Sequence, residues 1–180
     1  MQTSKIQKWI QKEERQKKLL TVLSQPLTAK QINQKTGIPA EICSYIVNKY
    51  VGLGVMICMN PEAQNSRVYG LTEFGIQCRK HCIPDSPEYC SANIDWSIYG
   101  WICYNQRLVI LRMLTEPMQP SELRRKIRKK LPQAKISANN TRDIVRLFLE
   151  KGIVKKQFVR KKAHPRYQLT DLGTKLQSLL

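Results

Sequence analysis

Between positions 139 and 146 the sequence carries side chains whose hydrogen-bonding groups match the edges of DNA bases. Arginine fits guanine O6 and N7 with two donors, and asparagine fits adenine N6 and N7. Apolar residues recur there at helical spacing and predict a core-facing stripe of Thr141, Ile144, Val145, Phe148 and Leu149. The positions left facing outward are Asn139, Asn140, Arg142, Asp143 and Arg146. We therefore expect this helix to enter a DNA major groove, the alternative being a solvated helix face.

A cluster of cations follows this helix in the sequence. Its members are Lys155, Lys156, Arg160, Lys161, Lys162, His164 and Arg166. Such residues pair with phosphates or enter the minor groove, where they fix the register of a protein on DNA more than they read its sequence. We expect the cluster to contact the DNA backbone.

A second basic segment precedes the helix. Six of the seven residues from 124 to 130 are Lys or Arg, and the candidates for backbone contact are Arg124, Arg125, Arg128, Lys129 and Lys130. Such a segment is either a phosphate-binding surface or a solvated helix face, and its composition does not decide between them.

Catalysis and metal binding have less support in the sequence. The chain has two His and 13 acidic residues, and it lacks a Gly-rich phosphate loop and a Gly-x-Ser-x-Gly motif, so we expect no enzymatic activity. Cys78, Cys82, Cys90 and Cys103 have thiolates suited to zinc or an iron–sulfur cluster, but their spacing matches no standard pattern. No metal and no cofactor are therefore expected. Free and exposed cysteines in this region would instead be candidates for redox sensing.

The net charge narrows the class of partner. The 180 residues include 31 Lys and Arg against 13 Asp and Glu, a formal charge of +18. Such an excess points to a polyanion, of which nucleic acid is the commonest. No apolar run approaches the roughly 18 residues that span a membrane, and residues 1–18 lack the apolar centre of a signal peptide. We expect a cytoplasmic, nucleoid-associated protein without a membrane partner.

Two copies of one sequence pattern organise the chain. The segment 68–75 (VYGLTEFG) recurs as 166–173 (RYQLTDLG), at an offset of 98 residues. Upstream the offset is 91, so the second copy has seven extra residues between Leu123 and Val145. Because order and spacing are kept over about 70 positions, the pattern predicts two homologous domains.

The repeat also predicts the domain boundaries and the elements within each domain. The domains are residues 1–80 and 96–180, joined by an acidic linker with Cys and Pro at residues 81–95. Residues 101–180 carry 19 Lys and Arg against 5 Asp and Glu, so most of the charge lies in the second domain. The expected helices are 6–23, 28–35 and 39–52 in the first copy and 96–114, 120–130 and 138–151 in the second. Each set is followed by a hairpin, 55–59 with 67–71 and 153–159 with 166–169, and by a closing helix that begins at Thr72 or Thr170.

Both copies resemble the winged helix-turn-helix domains of prokaryotic transcription regulators, archaeal ones included, of the MarR-like and ArsR-like groups. In those domains the third helix typically ends in Leu-x-x-x-Gly-Leu/Ile-Val and the wing in Tyr-x-Leu-Thr-x-x-Gly. The corresponding segments are 148–154 (FLEKGIV) and 167–173 (YQLTDLG) in the second copy and 50–56 (YVGLGVM) and 69–75 (YGLTEFG) in the first. The resemblance covers about 150 of the 180 residues. It implies a mainly α fold with small β-hairpin wings (α+β), built as two tandem winged helix-turn-helix domains.

The residues and the resemblance together predict a transcription regulator that binds double-stranded DNA through the third helix and the wing of its C-terminal domain. The first copy offers fewer cations for such contacts, and its candidates are Ser44, Tyr45, Asn48, Lys49 and Arg67. It either makes weaker DNA contacts or serves as a homodimerisation or partner-binding module. Two other functions fit the same pattern: a protein-interaction adaptor of a transcription or replication complex, and a replication initiator or architectural chromatin protein.

Overall fold

The computed structural model describes residues 2–157 and 164–180. Over these residues the chain is mainly helical and carries two small antiparallel sheets, an α+β composition. It folds into two compact units, Met1–Trp101 and Ile102–Leu180. The boundary therefore lies later in the chain than the start of the second domain that the repeat predicts.

Unit 1 has its first five helices and its three-stranded sheet within residues 2–82. The helices are α1 (Gln2–Lys12), α2 (Glu14–Thr21), α3 (Ala29–Thr36), α4 (Ala40–Gly52) and α5 (Glu73–Cys82). The strands are β1 (Leu27–Thr28), β2 (Met56–Cys58) and β3 (Val68–Leu71), in the order β1-β3-β2. A sixth helix, α6 (Trp96–Ile102), ends at the boundary between the units.

Unit 2 repeats the later part of this order. Its helices are α7 (Gln106–Met113), α8 (Pro120–Lys130), α9 (Ala138–Glu150) and α10 (Asp171–Ser178), and its strands are β4 (Val154–Gln157) and β5 (Arg166–Leu169). The two strands pair antiparallel, with Lys156 opposite Tyr167. An isolated bridge between Met118 and Tyr167 adds a third backbone segment to this pair. The bridge corresponds to the pairing of Leu27 with Tyr69 in unit 1, at the two offsets found in the sequence.

The first predicted helix of each copy is two helices in the structure. In unit 1, Glu13 has extended backbone angles (φ −119°, ψ 117°), and these separate α1 from α2. Between α6 and α7, Asn105 adopts φ 54° and ψ −133°. Neither break is marked by Gly or Pro, the residues that usually interrupt a helix, and the helical predictions over 6–23 and 96–114 were wrong at these points.

The same hydrogen bonds close the third helix and open the last helix in both units. The hydroxyls of Thr72 and Thr170 accept the N–H of the glycine three residues later, at 2.9 and 3.1 Å. They donate to the carbonyls of Gly54 and Gly152, at 2.6 and 2.7 Å. Both of these glycines have positive φ, 70° and 68°, a conformation in which glycine avoids the strain of a Cβ. The predicted helix starts at Thr72 and Thr170 are confirmed.

Each unit has its own apolar core. In unit 1 the largest fully buried side chains include Ile10, Leu19, Leu20, Leu23, Ile32 and Tyr50. In unit 2 the buried residues include Ile110, Leu111, Leu123, Ile127, Val145, Phe148, Ile153 and Leu176. Helices α8 and α9 therefore turn their apolar stripes inward, which leaves their polar faces for contacts outside the core.

Residues 83–95 pack onto unit 1 and are part of it. Arg79 is only 3% exposed, and its guanidinium donates to the carbonyls of Leu20 at 3.0 Å and Pro87 at 2.7 Å. The Tyr89 hydroxyl accepts the N–H of Leu71 at 3.0 Å. The sequence predicted a linker because the segment is polar and rich in Pro. These side-chain contacts, however, join it to the helices and the sheet.

Candidate nucleic-acid interface

The polar face of α9 is exposed over its whole length. Asn139, Asn140, Arg142, Asp143 and Arg146 all lie on the surface, as the periodicity predicted. Thr141, Val145 and Phe148 are buried, and Ile144 and Leu149 are half-buried. The Ser137 hydroxyl accepts the N–H of Asn140 at 3.1 Å and begins the helix. The helix thus presents a row of amide and guanidinium groups that can donate to and accept from base edges.

Two hydrogen bonds orient the amides on this face. Asn139 Oδ1 accepts from Arg142 Nη2 at 2.5 Å, one helical turn away. Asn140 Nδ2 donates to Oε1 of Gln106 at 3.2 Å, and Gln106 Nε2 in turn donates to the carbonyl of Lys135 at 2.8 Å. Gln106 therefore ties the first turn of α9 to the segment before it. The periodicity of the sequence did not indicate this role, because it predicted one helix over 96–114 with Gln106 in its middle, whereas α7 begins at Gln106.

The basic segment on α8 has both structural and exposed members. Arg124 is half-buried and its Nε donates to the carbonyl of Ile136 at 3.3 Å, which holds the segment between α8 and α9. Lys126 Nζ donates to the Thr115 hydroxyl at 2.7 Å. The exposed cations of the segment are Arg125, Arg128, Lys129 and Lys130. These four remain the candidates for phosphate contact on this helix.

The predicted cations of the hairpin include exposed side chains and one side chain that is bonded within the fold. Lys155 and Lys156 on β4 and His164 before β5 are exposed. Arg166 is half-buried: it donates to the carbonyl of Pro117 at 3.0 Å and forms an ion pair with Glu122 at 2.8 Å. It therefore has a structural role that the sequence did not indicate. Arg160, Lys161 and Lys162 lie outside the residues that the structure describes.

Beside α9, the start of α7 forms one wall of a groove of about 400 Å³. Its lining residues are Asn105, Gln106, Arg107, Asn140, Ile144 and Leu147. The guanidinium of Arg107 lies 5.7 Å from the centre of the Tyr104 ring, and burial lowers the pKa of Arg107 from its ordinary value. Tyr104, Asn105, Gln106 and Arg107 were not among the predicted site residues.

The two units differ strongly in charge. Unit 2 has 19 Lys and Arg against 5 Asp and Glu, whereas unit 1 has 12 against 8. A net +14 on the 79 residues of unit 2 produces a field that attracts polyanions. Five acidic side chains oppose this charge, and one of them, Glu122, is paired with Arg166 within the fold.

A row of exposed amide and guanidinium groups set among exposed cations is chemically suited to a nucleic-acid duplex. Comparison of the chain with protein families, curated proteins and solved structures found no match. Among the described residues, no helix is long and apolar enough to cross a membrane.

The corresponding face of unit 1 has a different character. Ser44, Tyr45, Asn48 and Lys49 are exposed on α4, with Tyr45 at 61%. The ammonium of Lys49 lies 4.8 Å from the centre of the Trp9 ring, which engages this cation within unit 1. Arg67 is exposed, and its Nε donates to the carbonyl of Ala63 at 3.0 Å. This face therefore offers aromatic and amide groups rather than a row of cations.

The cysteines do not form a thiolate cluster. Cys78 is buried, Cys82 half-buried and Cys90 exposed, and Cys103 is a buried residue of unit 2. No group of three or more His, Cys, Asp or Glu side chains within residues 2–157 and 164–180 is arranged to hold a metal ion. Burial raises the pKa of the Cys78 thiol, as does the neighbouring Cys82. A raised pKa disfavours the thiolate, which is the reactive form.

Proposed function

We propose that this protein is a DNA-binding transcription regulator, without enzymatic activity of its own, that contacts double-stranded DNA mainly through unit 2. The third helix of the unit, α9, reads bases in the major groove, and the cations of the hairpin and of α8 contact phosphates. The single observation that carries the proposal is the exposed row of Asn and Arg side chains on α9, in a unit of net charge +14.

The arrangement of elements supports a winged helix-turn-helix in each unit. Two helices, a third helix, a hairpin and a closing helix follow one another in the same order in both. Helices α8 and α9 pack together, and so do α3 and α4. The threonine and glycine hydrogen bonds that join helix, hairpin and closing helix are the same in the two units. On this proposal β4 and β5 form the wing of unit 2.

A second function for unit 1 is favoured by substitutions between the repeats. Tyr45 stands where unit 2 has Asp143, and Ile57 stands where unit 2 has Lys155. Ile57 is 50% exposed. Apolar and aromatic side chains at such positions suit contact with protein more than with phosphate. Unit 1 is therefore the candidate for homodimerisation or for binding a protein partner.

The test is fluorescence anisotropy of labelled duplex DNA, with random and with selected sequences, across a series of salt concentrations. The parent should show a steep fall of log affinity with log salt, about 0.9 per phosphate contact, and a selected-to-random ratio above roughly 10³. The double variant Arg142→Gln/Arg146→Gln should lose most of that ratio, since each bidentate contact contributes about 1–3 kcal/mol of discrimination. The charge-matched control is Lys8→Gln/Lys12→Gln, which removes two exposed cations of α1.

Each outcome bears on a different function. A steep salt dependence without sequence preference would indicate an architectural or initiator-type binder and would reject a site-specific regulator. If the parent fails to bind any duplex at low salt, the DNA-binding proposal is refuted and a protein-interaction adaptor takes its place.

A further inference from the structure

The groove beside α9 combines apolar and polar surfaces along one flank of the proposed reading helix. Asn140, Ile144 and Leu147 recur on α9 at helical spacing, and Leu147 is 36% exposed. Opposite them lie Asn105, Gln106 and Arg107 at the start of α7. The Tyr104 ring, 38% exposed, lies beneath the Arg107 guanidinium. The groove thus offers C–H surface, amide donors and one cation.

The wall of the groove is held in place before any ligand binds. Gln106 donates to the carbonyl of Lys135 and accepts from Asn140, so its amide bridges the segment before α9 and the first turn of that helix. The Arg107 guanidinium lies 5.7 Å from the centre of the Tyr104 ring. A guanidinium is planar, and its shape matches a phosphate.

The chemistry of the lining favours an anionic strand over other occupants. No lining residue carries a carboxylate, and the groove belongs to the unit with net charge +14. A nucleic-acid strand alternates phosphates, which need cations and amide donors, with deoxyribose rings, whose C–H groups pack against apolar side chains. Asn140 and Leu147 are also helical neighbours of Asn139 and Asp143, on the proposed reading face.

We propose that this groove holds one sugar–phosphate strand of the duplex, with Arg107 binding a phosphate and Leu147 contacting the adjoining deoxyribose. The inference rests on the proposed function, which supplies the duplex. It extends the interface from α9 onto α7 and assigns phosphate binding to a residue outside the predicted basic segments.

The test compares Arg107→Gln with Arg112→Gln, an exposed arginine on the same helix outside the groove. In the anisotropy salt series, Arg107→Gln should reduce the salt slope by about 0.9, the value of one phosphate contact, and reduce affinity about tenfold. Arg107→Lys keeps the charge and should keep the slope. Ethylation interference on the selected duplex should lose one phosphate with Arg107→Gln and none with Arg112→Gln.

The outcomes separate this inference from the proposed function. Absence of binding by the parent protein would overturn both. A parent that binds with a steep slope, together with an Arg107→Gln variant whose slope is unchanged, would overturn the groove alone. Equal reductions for Arg107→Gln and Arg112→Gln would also overturn it, because the loss would then reflect total charge. Thermal unfolding followed by circular dichroism identifies a variant that has not folded. If Arg107→Gln has not folded, Arg107→Lys replaces it in the ethylation-interference comparison.

Discussion

Arg166 and Glu122 form an ion pair at 2.8 Å that ties strand β5 to the first turn of α8. The other carboxylate oxygen of Glu122 accepts the N–H of Gln119 at 2.9 Å, which satisfies a backbone donor at the start of the helix. One acidic side chain therefore joins the strand to the helix and caps the helix as well.

Replacing Glu122 should destabilise unit 2. Glu122→Ala removes both interactions and should reduce the free energy of unfolding by about 1–2 kcal/mol. Glu122→Gln keeps an acceptor for Gln119 and should cost about half as much. Amide hydrogen exchange of α9 reports on unit 2, and Glu150→Ala, at the exposed end of α9, is the control. A cost for Glu122→Ala no larger than that of the control would contradict a structural role for the pair.

Two glycines hold the closing helices against the hairpins. A Cβ at Gly75 would collide with the carbonyl oxygen of Val55, and one at Gly173 with that of Ile153. Gly75→Ala and Gly173→Ala should each cost about 1–3 kcal/mol, the range for overpacking a tight contact. Gly52→Ala, where the added methyl meets open space, should be neutral or slightly stabilising. Chemical denaturation measures all three, and equal effects at the three positions would refute the collision argument.

The segment 83–95 should detach from unit 1 when Arg79 is replaced. Arg79→Met leaves the carbonyls of Leu20 and Pro87 without their charged donor and should cost about 3 kcal/mol. All three tryptophans lie in unit 1, so tryptophan fluorescence follows its unfolding. Limited proteolysis should cleave residues 83–95 faster in Arg79→Met than in Lys80→Met, the exposed neighbour. Equal cleavage rates would show that Arg79 does not hold the segment.

Local signals in the sequence predicted where helices and strands begin and end, but they did not predict the tertiary contacts between these elements. Thr72 and Thr170 cap helices by accepting the N–H of the residue three positions later. Gly54 and Gly152 adopt positive φ. Both features follow from residue type and spacing. The break at Glu13 has no such signal. The docking of Tyr89 on β3 depends on a partner 18 residues away, which periodicity cannot reveal.

The candidate site shows the same division. Exposure of the α9 face follows from the 3.6-residue period, and the structure confirms it. The roles of Gln106 and Arg166 depend on partners 34 and 44 residues away, and only the fold brings these pairs together. The sequence therefore predicted which residues face outward, but it could not separate cations that brace the fold from cations free to meet a phosphate.

Unit 1 should lose stability in alkaline solution. Burial raises the pKa of Tyr50, whose hydroxyl donates to the carbonyl of Gln16 at 3.0 Å, and it raises the pKa of Cys78. In the unfolded chain these groups ionise near about 10 and about 8.5. Their contribution to stability is therefore complete below those values and is lost as pH rises toward the higher pKa values of the folded state.

The measurement is urea unfolding of unit 1, followed by tryptophan fluorescence, between pH 8 and pH 11. Above about pH 10 the free energy of unfolding of the parent should fall as pH rises. In Tyr50→Phe this fall should be less steep, by up to about 1.4 kcal/mol per pH unit. Tyr45→Phe alters an exposed ring and should keep the slope of the parent. If the Tyr50→Phe slope equals that of the parent, Tyr50 ionisation is not the cause of the alkaline loss.

Gln106 should control base discrimination without contributing charge. Gln106→Ala removes the hydrogen bonds to Asn140 and Lys135 and releases the first turn of α9. If α9 reads bases as proposed, the selected-to-random ratio should fall about tenfold, the lower end of the value of one amide–adenine contact. The salt slope should stay unchanged, because Gln106 carries no charge.

The control for this prediction is Gln133→Ala, an exposed glutamine in the segment between α8 and α9. It should leave both the ratio and the slope as in the parent. A double-mutant cycle with Asn140→Ala tests the positioning role directly, since Gln106 acts through Asn140 and the two losses should not add. Additive losses would mean that Gln106 contacts DNA by itself. If the salt slope falls while the selected-to-random ratio stays constant, Gln106 supports phosphate contacts and not base contacts.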